Sequence, residues 1–113
     1  MNLFTGYGDD YVSVNGQRYS RSLILLPDRM VDSWSATSFA TLTLADLDQL
    51  AGLQAEIFIL GTGKQLRFPE HSLLQPFVAR KIALDVMDSH AACRTYNILA
   101  KEQRIVACAV LFD

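Results

Sequence analysis

The chain has 113 residues, of which 50% are apolar and 19% charged, and its formal net charge is −2. This length fits one domain, and the apolar content suffices for a hydrophobic core. Because no basic stripe is present, a nucleic-acid partner or an anionic membrane surface is disfavoured. The longest apolar run, residues 105–112, is too short to span a bilayer.

The N-terminal segment and the cysteines bear on cellular location. Residues 1–10 include Gly6 and Gly8 and are expected to form a loosely held arm. They lack the basic and apolar regions of a signal peptide, so none is expected. Cys93 and Cys108 make no disulfide framework, which favours a reducing, cytoplasmic location.

The first part of the chain alternates like a set of short strands. Residues 11–14 alternate, and Asn15-Gly16 is the strongest short hairpin signal, with a return strand over 17–26. Residues 30–34 and 38–42 are two further extended candidates. The sequence thus predicts antiparallel hairpin strands in this half.

A short helix is predicted after residue 42. Thr43 and Asp46 match a capping box, and leucines follow at helical spacing at positions 44, 47 and 50. Gly52 stands where a glycine commonly ends a helix.

The second half alternates apolar strands with helices. Buried strands are predicted over 56–60, 82–87 and 104–112, and a helix over 89–101. A further helix follows residue 70, where Pro76 either opens the helix in its first turn, with Gln75 as N-cap, or kinks a helix that began nearer Pro69.

These elements predict an α/β fold, in which one three-layer domain covering residues 1–113 has a mixed β-sheet. Apolar strands separated by helices indicate parallel pairs covered on both faces. N-terminal hairpin strands would be followed by a βαβαβ half.

Two motifs carry a resemblance to a known family. Gly61-Thr62-Gly63 follows a buried strand, and residues 91–99 read Ala-Ala-Cys-Arg-Thr-Tyr-Asn-Ile-Leu. With Tyr19, Ser22, Pro27 and Trp34, they closely resemble the domain-of-unknown-function 498 family over nearly the whole chain.

The resemblance implies one α/β domain with a mixed sheet and no established catalytic activity. A mitochondrial member of this family acts as an assembly factor for respiratory complex I. Members often carry glycine where this chain has Lys81. A left-handed helix ending at Lys81 would then be strained or absent.

The Gly61-Thr62-Gly63 bend is the first candidate site. In open α/β sheets ligands bind beyond the carboxyl ends of parallel strands, and glycines let backbone N–H groups converge on an anion. Thr62, Asp88, Arg94 and Asn97 would lie near this crevice. The alternative is a tight strand exit that needs unusual backbone angles.

The 89–101 helix offers a second surface. At about 100° per residue, His90, Arg94, Asn97 and Lys101 share one face, which is either a solvated face or a recognition stripe for a partner or polar ligand. Asp88 is expected to be the N-cap of this helix.

Other chemistry has a weaker basis in the sequence. Cys93 follows His90 by three residues and is either an activated thiol or, as we favour, a packing residue. No metal-ligand motif occurs, and no metal or cofactor is expected. Trp34, in a polar context, could cover a pocket or anchor an interface.

Two functions of different class follow from this inventory. The favoured one is a non-enzymatic interaction or assembly module that binds a protein partner or forms a homodimer. The alternative is a small-molecule binder or enzyme that uses the crevice at Gly61-Thr62-Gly63.

Overall fold

The computed structural model describes residues 1–112, which form eight strands and three helices. The strands are β1 (Phe4–Tyr7), β2 (Val12–Val14), β3 (Gln17–Tyr19), β4 (Leu23–Leu26), β5 (Arg29–Val31), β6 (Ile57–Thr62), β7 (Asp85–Met87) and β8 (Val106–Leu111). The helices are α1 (Leu44–Ala51), α2 (Gln75–Arg80) and α3 (Ser89–Lys101).

The predicted hairpin is present between β2 and β3. Asn15 and Gly16 both have positive φ, 53° and 86°, and Val14 pairs with Gln17. Two such residues suit the tight hairpin turn whose twist matches the strands. Because residues 20–22 leave the strand conformation, the predicted return strand ends at Tyr19 and β4 begins only at Leu23.

The expected loose arm over residues 1–10 is instead partly a strand. β1 (Phe4–Tyr7) pairs antiparallel with β2, and Phe4 is only 5% exposed. Its buried ring explains why this segment is held in place, since an aromatic side chain is among the largest apolar groups a core can bury. β1, β2 and β3 therefore form a sheet of their own.

The main sheet is mixed, as predicted, with strand order β5-β4-β8-β6-β7. β6 pairs in parallel with both β7 and β8, whereas β4 pairs antiparallel with β8 and β5. The fully buried β8 lies at the centre. One detail differs from the expectation, because the hairpin strands lie in the separate three-stranded sheet.

Both faces of the main sheet are covered, which makes the fold three-layered. One core includes α1, α2 and the sheet residues Ile24, Leu26, Phe58, Leu60, Ala107, Ala109 and Leu111. The other core includes α3, the small sheet and the sheet residues Leu23, Leu25, Ile59, Val106, Cys108 and Val110. The alternation within each strand follows from the period of two in β structure.

The predicted capping box of α1 is confirmed. Thr43 Oγ1 accepts a hydrogen bond from Asp46 N, and the Asp46 carboxylate accepts one from Thr43 N at 2.9 Å. Gly52 ends the helix as its C-cap, with φ of −80°. Residues 38–42, by contrast, form turns and not the predicted strand, because Ser38 and Thr41 hydrogen-bond to each other locally.

Pro76 lies in the first turn of α2, where its missing N–H leaves no hydrogen bond unmade. A 3-10 turn over His71–Leu74 precedes the helix, so that Leu74, and not Gln75, is the N-cap. The helix ends at Lys81 in the left-handed region, with φ of 57°. The left-handed ending is therefore present despite the lack of glycine.

Candidate functional site

The glycine bend at the end of β6 is sealed inside the protein. Gly61, Thr62 and Gly63 are all buried. A Cβ added at Gly61 would lie 2.9 Å from Ser89 Cα and 3.0 Å from Ala92 Cβ. Gly61 is thus needed for close packing of α3 against β6, and no ligand can take that space.

The polar groups of the bend bind other parts of the chain. Gly63 N donates to Ser89 Oγ at 2.8 Å, and Ser89 N donates to Gly63 O at 2.9 Å. Thr62 Oγ1 donates to Gln65 O at 2.6 Å, while Arg67 Nη2 donates to Thr62 O at 2.8 Å. The predicted anion-binding crevice at Gly61-Thr62-Gly63 is therefore wrong, since burial and internal bonding occupy its donors.

Asp88 is the N-cap of α3, as predicted. Its carboxylate accepts a hydrogen bond from Ala91 N at 2.9 Å. This contact stabilises the first turn, because it gives a hydrogen-bond acceptor to one of the N–H groups that lack a partner within the helix. The role found for Asp88 is thus structural.

The polar face of α3 contacts the N-terminal strand. Asn97 donates from Nδ2 to Phe4 O at 2.7 Å and accepts from Phe4 N at 2.9 Å. Arg94 Nη1 donates to Tyr7 Oη at 3.3 Å, and His90 Nε2 bonds Gly8 O at 3.0 Å. We call His90, Arg94 and Asn97 the α3 stripe. The α3 stripe therefore binds a segment of its own chain, namely β1 and the residue that follows it, Gly8.

Trp34 lies in the core between the sheet and α1. It is 4% exposed, and its indole Nε1 donates to Asp46 O at 3.2 Å. A buried ring is not available as an interface anchor, so that part of the expectation is wrong. Trp34 is nevertheless among the residues that line a surface cavity, together with Arg21 and Phe112.

Both cysteines are buried packing residues. Burial raises the pKa of the Cys93 thiol to about 12, an effect that the nearby positive charge of Arg94 only partly offsets. The pKa of Cys108 is also raised well above its ordinary value, mainly by burial. Cys93 therefore lacks the thiolate character that a nucleophile needs.

Residues 1–112 contain no group of three or more His, Cys, Asp or Glu side chains placed to hold a metal ion. Within the same residues, no helix is both long enough and apolar enough to cross a bilayer.

An exposed apolar surface lies on the loop between β6 and α2. Phe68 is 70% exposed and Leu66 53% exposed. Phe68 also borders a hollow of about 280 Å³ whose walls include Phe39 and Leu73. We call these four residues the Phe68 surface. Sequence reasoning missed it, although two large apolar residues in a polar loop next to Pro69 were a visible signal.

A mostly apolar groove of about 550 Å³ lies between α1 and α2 on the same layer. Leu44 and Pro76 contribute to its walls, and Asp48 and Arg80 form an ion pair of 3.0 Å at its border. The groove and the Phe68 surface are thus both formed by α1, α2 and the segments that precede these helices. Four exposed large apolar side chains therefore lie on α1, α2 or the loop before α2: Leu44, Leu66, Phe68 and Val78.

Known proteins similar to the chain include assembly factors and a solved bacterial structure. The NADH dehydrogenase (ubiquinone) 1 alpha subcomplex assembly factor 3 of Bos taurus is 32% identical over 111 residues, which is 93% of this chain and 60% of that protein. The 13 kDa major membrane protein of Francisella tularensis subsp. holarctica is 26% identical over 96% of this chain and 89% of that protein.

A crystal structure from Bordetella parapertussis has a TM-score of 0.91 and 38% identity, and the match covers all of this chain and 97% of that one. The chain spans about 60% of the length of the assembly factors that it matches. The family model of proteins of unknown function DUF498/DUF598 matches residues 4–111. The chain therefore belongs to the DUF498/DUF598 family.

Proposed function

We propose that the protein is a non-enzymatic interaction module that helps to assemble a larger protein complex, and that the Phe68 surface binds its partner. The similarity to assembly factors of NADH dehydrogenase supports the class of function. The single observation that supports the location is the 70% exposure of the Phe68 side chain.

The energetics favour a covered Phe68. Removing a phenylalanine side chain from water stabilises a complex by about 1.5–3 kcal/mol, so a rigid loop that leaves one exposed is suited to a buried contact. Aromatic residues at the centre of an interface contribute much of its binding free energy. Leu66 and the hollow beside Phe39 extend the apolar area around that centre.

The loop that carries Phe68 is firmly held, which reduces the entropy lost on binding. Arg67 lies between the two exposed apolar residues and donates from its backbone N to Thr62 Oγ1 at 3.2 Å and from Nη2 to Thr62 O. Its guanidinium also lies 4.7 Å from the centre of the Phe39 ring. Phe68 is thus presented by an ordered loop whose border, at Lys64 and Glu70, is charged and exposed.

The titratable groups are consistent with a role without chemistry. The thiols are buried with raised pKa values, and the His90 ring bonds Gly8 O. These side chains stabilise the fold, which leaves surface recognition as the function best supported. The cytoplasm is our proposed location.

The test compares partner recovery by three forms of the full chain expressed in its native host: the natural chain, Phe68→Ser and Ile98→Ser. Ile98 is 61% exposed and lies on α3, in the opposite layer, which makes it a matched control. After chemical cross-linking, the natural chain and Ile98→Ser should retain the same partner, and Phe68→Ser should lose it.

Equal recovery by Phe68→Ser and the natural chain would contradict the proposal. Melting temperatures of the purified variants should agree within the error, because neither side chain contributes to a core. Sedimentation of the purified chain distinguishes a second copy from a different protein as the partner, because only a homodimer would dissociate on the Phe68→Ser change without any other component.

A further inference from the structure

A surface cavity of about 520 Å³ lies at the end of the sheet where β8 finishes and β4 begins. Phe112, the residue after β8, and Ser22, the residue before β4, both line it. Leu23 and Val110 pair across the two strands at this end. The cavity therefore lies beyond the carboxyl end of β8, the end of a strand at which α/β sheets commonly bind ligands. It is on the β4 side of β8, whereas the sealed bend at the end of β6 is on the opposite side of β8.

Within residues 1–112, Arg21 supplies the only charged side chain that lines this cavity. Its Nη1 donates to Ser33 Oγ at 3.5 Å, a long hydrogen bond that leaves most of its donors in solvent. Among residues 1–112 the ion pairs found do not include Arg21. A solvent-exposed guanidinium without a carboxylate partner can bind the carboxylate of a ligand through two parallel hydrogen bonds.

Hydroxyl-bearing side chains are also among those that line the cavity. They belong to Ser20, Ser22, Ser33 and Thr37. The Ser22 hydroxyl donates to Ala36 O, so its oxygen remains an acceptor, while the exposed hydroxyl of Ser20 can also donate to an anion. This part of the cavity is polar and carries one positive charge.

The remaining walls are aromatic. Trp34 lines the cavity with only a small part of its surface, since it is 4% exposed and its Nε1 donates to Asp46 O. Phe112 is half-buried and offers apolar surface to a ligand. Aromatic residues and one cationic residue thus line the cavity together, and its volume lies within the range of small-molecule sites.

We infer that this cavity binds a monocarboxylate with an apolar, ring-sized body, whose carboxylate pairs with Arg21 and whose body lies against Phe112. A neighbouring groove shares Ser20 and Arg21 and also contains Arg18 and the exposed carboxylate of Asp32. Because the Asp32 carboxylate offsets the charge of one of these two arginines, the remaining single positive charge favours a singly charged carboxylate over a phosphate. The cavity shares no lining residue with the Phe68 surface, so each of the two proposals is tested without the other.

The test is a titration of the isotope-labelled full chain with benzoate, followed by amide and indole chemical shifts. Saturable shifts are expected at residues 20–22, 33–37 and 112. Arg21→Gln should weaken binding about tenfold, as expected for a lost charge-assisted hydrogen bond. Arg29→Gln, an exposed arginine elsewhere whose side chain is 41% accessible, should bind benzoate as the natural chain does.

Two further probes separate the contribution of the carboxylate to binding from that of the ring. Benzyl alcohol has the ring without the charge, and acetate has the charge without the ring, so each should bind several-fold more weakly than benzoate. Unsaturable shifts, equal binding by Arg21→Gln, or equal binding of benzyl alcohol or acetate would each overturn the inference. Inorganic phosphate that binds more tightly than benzoate would overturn it as well.

Discussion

Asn97 on α3 binds both backbone groups of Phe4, which lies 93 residues away in the chain. The amide acts on β1 as a neighbouring strand would, because it donates to the carbonyl and accepts from the N–H. It thereby pairs the edge of β1 that faces α3. The N-terminal strand is thus fixed between β2 on one edge and a helix side chain on the other.

Asn97→Ala should destabilise the protein by about 1–3 kcal/mol, because two backbone groups of a partly buried strand lose their partners. The free energy of unfolding in urea measures the loss, and amide exchange should accelerate at Phe4. Arg94→Ala is the control, since its exposed side chain makes only a 3.3 Å bond to Tyr7; its effect should stay under about 0.5 kcal/mol. Equal stability of the two variants would show that Asn97 does not hold β1.

Gly61→Ala should destabilise the protein by about 1–3 kcal/mol, the usual cost of an extra methyl group in a packed core. The new Cβ would meet Ser89 Cα at 2.9 Å, and that contact is with backbone, which cannot rotate away. Thermal unfolding measures the change. In the control Gly6→Ala the nearest atoms lie at 3.7 Å, so its stability should be close to that of the natural chain. An unchanged melting temperature for Gly61→Ala would mean that α3 packs more loosely on β6.

Lys81→Gly should stabilise the protein by about 0.5–1 kcal/mol. A non-glycine residue in the left-handed region costs about 1–2 kcal/mol, and the greater freedom of glycine in the unfolded chain offsets part of that gain. Denaturant unfolding provides the measurement. Lys101→Gly, in the last turn of α3 with ordinary helical angles, should instead lose up to about 1 kcal/mol. A loss in both variants would mean that Lys81 is not strained.

Local patterns predicted local structure well. The Asn15-Gly16 turn, the capping box at Thr43 and the N-cap at Asp88 each depend on residues within a few positions, and each is present. The apolar runs likewise predicted the parallel strands of the main sheet, because a buried strand has apolar residues on both faces. These features follow from short-range chemistry that the sequence contains directly.

Long-range contacts were not predictable in the same way. The helical period placed His90, Arg94 and Asn97 on one face, but their partners lie 82 to 93 residues earlier. Two glycines at the end of β6 are equally consistent with an open crevice and with a helix packed closely against the backbone. Only the position of Ser89 against Gly61 decides between these possibilities.

Alkaline pH should destabilise the protein through its buried thiols. The pKa of Cys93 is about 12 in the fold against 9.0 for a free thiol, so between these values the unfolded chain loses a proton that the folded chain keeps. The free energy of unfolding should thus fall above pH 9 by about 1.4 kcal/mol per pH unit for each such thiol. Cys108 should lower the free energy of unfolding further over the same pH range, since burial raises its pKa as well. Urea unfolding at several pH values between 8 and 10.5 measures the slope of the unfolding free energy against pH. Cys93→Ala should make this slope shallower by the contribution of one ionising thiol. An identical slope for the natural chain and Cys93→Ala would show that Cys93 ionises as readily in the fold as in the unfolded chain.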